Sequence, residues 1–267
     1  MAPTTFPDLN QVLSELVSSV EGILGMSFIG AYLQGSFAIG DYDQHSDVDF
    51  IMVIDRDLSL DQVEDLQEMH DRIYRMESSW AQHLEGSYFP KEVLQQSSMA
   101  GTDLWYLDHG ARELIRSDHC NTILVRWIVR DQGVILRGPN PETLVDPITQ
   151  EVLRTEIFNT LNYWGQVILD DPTPFNNWFY QGYIVLNFCR MLHDLNRGYP
   201  GSKREGAEWA KSTLNASWSE LIDRAWEGRP DPATKIRQPA DPEDFAMTLE
   251  FLKMIMKQSK KWMQKLG

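Results

Sequence analysis

GSFAIGDYDQHSDVDFIMVI, residues Gly35 to Ile54, closes on an almost wholly apolar run, Phe50-Ile51-Met52-Val53-Ile54. Such a run reads as a strand passing through a core, and the two-residue period of a strand puts Asp47 and Asp49 on one face. Two carboxylates held side by side repel each other unless a cation lies between them. Hard divalent cations take oxygen ligands of this kind, and Mg²⁺ commonly keeps phosphate oxygens in its shell. Upstream, Gly35-Ser36 follows another apolar stretch, Phe28-Ile29-Gly30-Ala31-Tyr32-Leu33. Glycine allows a backbone to approach an anion closely, and Ser36 can donate to a phosphate through its hydroxyl and its amide. Carboxylates suited to a metal and a Gly-Ser pair suited to a phosphate together point to nucleotide chemistry.

Outward from this stretch, Asp8 to Val20 reads as a first helix, with Leu9, Val12, Leu13, Leu16, Val17 and Val20 recurring on one face. Strands are expected near 28–34 and 48–54. Ser59 is a candidate N-cap for a helix over about 60–76. A third strand is expected around 82–89, and Pro90 begins a short helix through Val93 and Leu94. Thr122 to Val129 is helical or buried, and Gly133 to Pro139 is a short extended piece and a turn. Pro139, Pro141 and Pro147 then punctuate a transition. Helices follow at about 150–168, 178–195, 204–214, 216–227 and 242–264. Alternating helix and strand describe a small α/β domain. The expected fold is therefore an α/β head with a mixed sheet over 1–148, followed by an α-helical bundle over 149–267.

At 267 residues the chain is long enough for one large core or two modest ones. Its 42% hydrophobic and 24% charged residues are ordinary for a globular protein. No run of 18 or more apolar residues occurs, so no membrane span is expected. The opening MAPTTFPDLN lacks a basic stretch followed by an apolar one, and a cytoplasmic location is the expectation. Cys120 and Cys189, the only cysteines, each lie in an apolar pattern read as helical, which argues against a disulfide framework. A formal net charge of −15 opposes nucleic-acid binding, which needs Lys and Arg to neutralise phosphates, and suits a cationic small-molecule acceptor.

A two-metal transfer site needs a third acid, to complete a metal shell or to activate the attacking hydroxyl. Glu85 is the candidate, because it sits inside an expected strand where an unpaired charge is costly. Asp41, Asp43 and His45, in the loop before the Asp pair, read as a polar surface loop. His119 beside Cys120 has no second Cys or His spaced to make a soft-metal site, and that reading is rejected. Arg190 interrupts an apolar helical pattern, where it either meets an anion in an interdomain cleft or forms a structural ion pair. Lys203, after a Gly-Tyr-Pro-Gly turn, either reaches triphosphate oxygens or is a surface lysine. Trp105 and Tyr106 either flank a sugar or aminocyclitol ring or belong to the core.

Gly35-Ser36 followed by Asp47-Val48-Asp49 resembles the signature of the nucleotidyltransferase superfamily. With Leu84-Glu85, Leu136-Arg137-Gly138-Pro139, Leu144-Val145-Asp146-Pro147, Ile184 to Arg190, and Lys203 to Ala210, the chain resembles the aminoglycoside adenylyltransferases over nearly its whole length. The streptomycin/spectinomycin 3''-adenylyltransferases and the spectinomycin 9-adenylyltransferases are the groups it looks most like. The resemblance implies a two-domain enzyme using ATP and Mg²⁺, with two ions expected. It implies that Asp47 and Asp49, with Glu85, form the metal site, that Gly35 and Ser36 meet the triphosphate, and that Glu85 is the general base. Arg190 and Lys203 match positions that bring positive charge from the helical domain to the phosphates, and Trp105 matches an acceptor-side aromatic. Streptomycin-modifying members carry an acid between the proline-rich break and the arginine-bearing helix. Here that stretch is Phe175-Asn176-Asn177-Trp178-Phe179-Tyr180-Gln181-Gly182, with Asn177 as the acceptor-side candidate and no carboxylate. A guanidinium favours a charged acceptor, so spectinomycin is the expected substrate over streptomycin.

The expected activity is Mg²⁺-dependent transfer of AMP from ATP to a hydroxyl of an aminocyclitol or aminoglycoside, by a monomer acting without nucleic acid or membrane. The alternative is an adenylyltransferase acting on a protein or on a non-antibiotic small-molecule hydroxyl. The long second domain argues against the protein acceptor, since minimal protein-modifying versions lack it. A catalytically idle binding domain is disfavoured because all three carboxylates are present, and a polymerase because no basic track exists.

Overall fold

A computed structural model of the chain describes residues 2–44, 46–229 and 235–266. His45 lies outside the described residues. The chain divides into two compact units, Met1–Ile148 and Thr149–Gly267.

The first unit is built on a six-stranded sheet in the order β5-β4-β3-β2-β1-β6. Its strands are β1 (Phe28–Leu33), β2 (Val48–Ile54), β3 (Leu84–Pro90), β4 (Leu104–Leu107), β5 (Leu114–Ser117) and β6 (Val134–Arg137). β2 and β3 run parallel, while every other neighbouring pair is antiparallel, so the sheet is mixed. The parallel pair needs a crossover, which α3 (Leu60–Tyr74) supplies. Ser59 starts α3 through a capping box, its hydroxyl accepting from the Gln62 amide while the Gln62 side chain accepts from the Ser59 amide.

Each sheet face has its own apolar layer. On one, α1 (Pro7–Leu24) and α3 bury Leu9, Leu13, Leu16, Val63 and Leu66 against Phe50, Met52 and Tyr88. On the other, Tyr32, Ile51, Val53 and Phe89 pack with Val93 and Leu94 of α4 (Lys91–Gln95) and Val129 of α5 (Ile123–Gln132). The alternation along β2 is the physical origin of this two-sided core: Phe50 and Met52 go one way, Ile51 and Val53 the other.

The second unit is helical: α6 (Gln150–Asp170), α7 (Trp178–Arg197), α8 (Lys203–Thr213), α9 (Ser219–Glu227) and α10 (Pro242–Leu266). The helix α7 is the most enclosed of its faces, burying Ile184, Val185, Leu186, Phe188, Cys189, Leu192 and Leu195. It approaches α8 closely because Gly206 has no side chain; a Cβ there would overlap Arg190 Cα at 2.5 Å. Among the described residues, no helix is long and apolar enough to cross a membrane.

The α/β head with a mixed sheet and the helical region after it agree with the sequence reading. Four local features differ. Residues 104–107 and 114–117 are the strands β4 and β5, too short to carry a readable alternation; β4 is held by pairing to β3 and β5 by pairing to β4. Gly35–Ile39, for which no element was expected, is a short helix, α2, closed by Gly40 at φ 82°. The third strand begins at Leu84, because Ser79–Gln82 forms one 3-10 turn first. Cys120 lies in a turn before α5, not in a helix, although it is buried; Cys189 is helical.

Candidate active site

The parallel register of β2 and β3 pairs Asp49 with Glu85. Residues paired across neighbouring strands point to the same face, so the two carboxylates lie side by side at the start of both strands. Asp47 precedes β2 by one residue, and the Val48 amide donates to the His83 carbonyl at 2.8 Å, which sets Asp47 beside the end of β3. On the face that carries Asp49 and Glu85 the apolar layer begins farther along, with Ile51 on β2 and Phe89 on β3, so the acids occupy the edge of that layer rather than its middle.

Gly35 completes this edge. The Gln34 amide donates to the Asp49 carbonyl at 2.9 Å, drawing the start of α2 onto β2. Gly35 there has φ 58°, a left-handed conformation that glycine adopts without strain, and a Cβ on it would overlap the Asp49 carboxylate. Next to it the Ser36 hydroxyl is buried with no hydrogen-bond partner among the described residues. A buried hydroxyl without a partner is costly, and the cost is removed when a ligand atom supplies the bond.

Glu85 is held in a pocket of donors, and its side chain is only 12% exposed. The Tyr106 hydroxyl lies 2.6 Å from Glu85 Oε1 and 3.0 Å from Asp108 Oδ1. His119 Nε2 is 3.2 Å from the same Glu85 oxygen, and its ring lies against Tyr106 at 5.2 Å between centroids. Burial raises the Glu85 pKa, but the bonds from His119 and Tyr106 and the positive field of His119 and His109 outweigh it, and the carboxyl is held below its ordinary value. His119 is shifted up, first by its bond to Glu85 and then, against the opposing effect of burial, by the charges of Glu85, Asp108 and Asp49. Glu85 therefore stays ionised and able to accept a proton near neutral pH.

A second group gathers on the Asp47 side. His109 Nε2 is 3.2 Å from Asp47 Oδ1 and 2.9 Å from His83 Nδ1, with the two imidazole rings stacked at 5.1 Å. One ligand atom from each of Asp47, His83 and His109 lies within 4.8 Å of the others, and among the described residues this is the one such cluster of metal-ligating side chains. The residues fit a phosphate-bound hard cation on three counts: oxygen donors in register on β2 and β3, a glycine whose missing side chain leaves the Asp49 carboxylate uncovered, and the buried Ser36 hydroxyl.

The family models meet this architecture in two segments. Residues 15–87, which carry Gly35, Ser36, the Asp pair and Glu85, match the nucleotidyltransferase domain. Residues 143–245 match the C-terminal domain of aminoglycoside adenylyltransferase. The chain belongs to the aminoglycoside adenylyltransferases of the nucleotidyltransferase superfamily. It is 25% identical over 237 residues to an aminoglycoside (3'') (9) adenylyltransferase of Shigella flexneri, covering 83% of this chain and 86% of that protein. A protein of the same name from Escherichia coli matches at 25% over 83% of this chain and 85% of its own length. Its fold is similar to the crystal structure of the spectinomycin adenyltransferase AAD(9) from Enterococcus faecialis, determined with ATP and spectinomycin, at a TM-score of 0.68 and 14% identity over 92% of this chain and 98% of that one.

In this adenylyltransferase the remaining sequence candidates have defined local settings. Arg190 donates to Asn187 Oδ1 at 2.9 Å and sits near buried Asp194, whose pKa burial raises while His193, Arg190 and the Gly201 amide lower it. Lys203 is the first residue of α8, capped by Ser202 and Glu205, with its ammonium 5.0 Å from the Tyr183 ring. Asn177 caps α7 by accepting from the Tyr180 amide at 2.9 Å. Trp105 is not brought to the acids: it pairs with Tyr88 and packs on the α1/α3 face, with Arg116 over its ring, while the next residue, Tyr106, points to Glu85. The period of β4 separates the two aromatics that the sequence reading set around one ring. The sequence reading passed over His83 and His109 and set His119 aside. Of the three, His83 stands nearest a candidate acid in sequence, two residues before Glu85 and just before β3 begins.

Proposed function

We propose that the enzyme transfers AMP from ATP to a hydroxyl of an aminocyclitol or aminoglycoside in a Mg²⁺-dependent reaction, with spectinomycin preferred over streptomycin. The observation that carries the reading is the register match of Asp49 with Glu85 beside the Gly35 cradle and the orphaned Ser36 hydroxyl. Asp47 and Asp49, with Glu85 at their edge, would hold Mg²⁺, two ions at full loading. The chemistry supplied by bound Mg²⁺ is charge neutralisation at the phosphates. Ser36 donates to the triphosphate, and the Gly35 backbone lets it approach. Glu85 takes the proton of the acceptor hydroxyl as that oxygen bonds to the α-phosphorus; the bond from the α-phosphorus to the bridging oxygen breaks and pyrophosphate leaves. Tyr106 and His119 keep the Glu85 carboxylate oriented and ionised before that transfer. We assign Arg190 and Lys203 to the triphosphate on their match to the family's positions, and Asn177 to the acceptor. The enzyme would work as a cytoplasmic monomer.

The preference rests on the stretch Phe175 to Gly182, which has no carboxylate. A guanidinium that loses a charged partner loses about 1.5–3 kcal/mol, or roughly 10–150-fold in efficiency. The test is incubation of both drugs with ATP and Mg²⁺, following pyrophosphate release and the mass gained by the acceptor, with kcat/KM for each. Glu85→Gln should bind ATP and lose about 10²–10⁴-fold in turnover. Transfer to neither drug would remove them as acceptors, and an unchanged maximal rate in Glu85→Gln would remove Glu85 as the base.

A further inference from the structure

We propose that Asp47, His83 and His109 form a binding site for a borderline divalent transition-metal ion of the Zn²⁺ class, separate from the Mg²⁺ set of Asp49 and Glu85 but sharing Asp47. Two imidazole nitrogens and one carboxylate oxygen are a donor set that suits Zn²⁺ and its neighbours and gives Mg²⁺ little, since Mg²⁺ takes oxygen ligands.

The spacing is already near that of a loaded site. Ligand atoms bound at about 2.0–2.1 Å around a tetrahedral ion lie about 3.3 Å apart. Here the His83 Nδ1 to His109 Nε2 distance is 2.9 Å and the His109 Nε2 to Asp47 Oδ1 distance is 3.2 Å. All three donor atoms lie within 4.8 Å of each other, which leaves the fourth corner to water.

The backbone sets this spacing without help from an ion. Val48 bonds to the His83 carbonyl, which fixes Asp47 against the start of β3. The turn Asp108 to Ala111 fixes His109: the Ala111 amide donates to the Asp108 carbonyl, the His109 amide donates to Asp108 Oδ1 at 2.9 Å, and Gly110 takes φ 71°. That turn lies against the Gln82 carbonyl, so the His83 and His109 rings meet face to face. Such preorganisation reduces the ordering cost of binding.

Occupation by Zn²⁺ draws on the carboxylate that the proposed function gives to Mg²⁺, so it should lower AMP transfer. This consequence rests on that reading; the binding itself does not. The experiment is titration of Zn²⁺ into the nucleotide-free protein in competition with a chromophoric chelator, and Co²⁺ titration followed by visible absorption as a check on coordination. One Zn²⁺ per chain is expected, with affinity weakened by about 100-fold or more in His83→Gln and in His109→Gln. Asp49→Asn should retain the ion. Equal Zn²⁺ affinity in both histidine variants, each shown folded by circular dichroism, overturns the site. Inhibition of AMP transfer by Zn²⁺, relative to each protein's own zinc-free rate, should be strong in the wild type and relieved in His109→Gln. Stoichiometric binding without inhibition would keep the ligand set and overturn the sharing of Asp47.

Discussion

Around Glu85, two side chains meet one carboxylate, Tyr106 from β4 and His119 from the turn after β5, and His109 in the turn after β4 adds the effect of its charge. Burial alone would raise the pKa of Glu85; the donors reverse that. A test follows from the sign. Removing the His119 bond and charge takes away terms that lower the pKa, so Glu85 in His119→Gln must titrate higher. The acid limb of kcat/KM against pH should move toward neutral pH in that variant, while the rate on the plateau changes less. An unshifted limb with a uniformly lower rate would make His119 a packing residue only.

At the scale of the element, α3 is the crossover that lets β2 and β3 run parallel, and so bring Asp49 into register with Glu85. It docks through Val63, Leu66, Met69, Ile73 and fully buried His70. His70 Nε2 is 2.8 Å from the Tyr88 hydroxyl, and burial drives its pKa from 6.5 down to about 3. The folded chain thus refuses a proton that the unfolded chain accepts. The stability that neutral His70 contributes is complete above about pH 6.5 and is lost progressively as pH falls toward about 3. His70→Gln, which keeps a partner for Tyr88, should flatten the pH dependence of the urea midpoint across that window. Parallel profiles for the two proteins would show that α3 docking carries no such proton linkage.

For the whole molecule, chemistry and charge are divided between the units. The acids lie in Met1–Ile148, while Arg190 and Lys203 lie in Thr149–Gly267. With a formal net charge of −15, the chain must supply local cations if it is to hold a triphosphate. Loss of one charge-assisted bond costs about 1.5–3 kcal/mol, so Lys203→Ala in the full-length protein should weaken ATP binding roughly 10–150-fold. Lys203 is a half-buried first residue of a helix whose cap and capping box are intact without it, so the melting temperature should hardly move. ATP affinity equal to wild type, measured by calorimetry, would remove Lys203 from the nucleotide site.

The Asp47/Asp49 pair, the Gly35-Ser36 turn and the helical second half were readable because each is a local pattern: a two-residue strand period, a glycine where the backbone turns back, and apolar residues at helical spacing. The strands β4 and β5 were not, since four residues carry too little alternation and only the pairing of β4 with β3, and of β5 with β4, places them. Trp105 and Tyr106 show the limit most plainly. Adjacent in sequence, they diverge to opposite sheet faces, one into the α1/α3 core and one onto Glu85. Sequence alone was enough to single out Asp47, Asp49 and the Gly35-Ser36 pair as candidates for a nucleotide site, because those signals act over a few neighbouring residues. That Asp49 stands beside Glu85, with His83, His109 and His119 near these acids, came from the folded arrangement. Strand register and loop approach are set by packing across the whole sheet, which no single segment encodes.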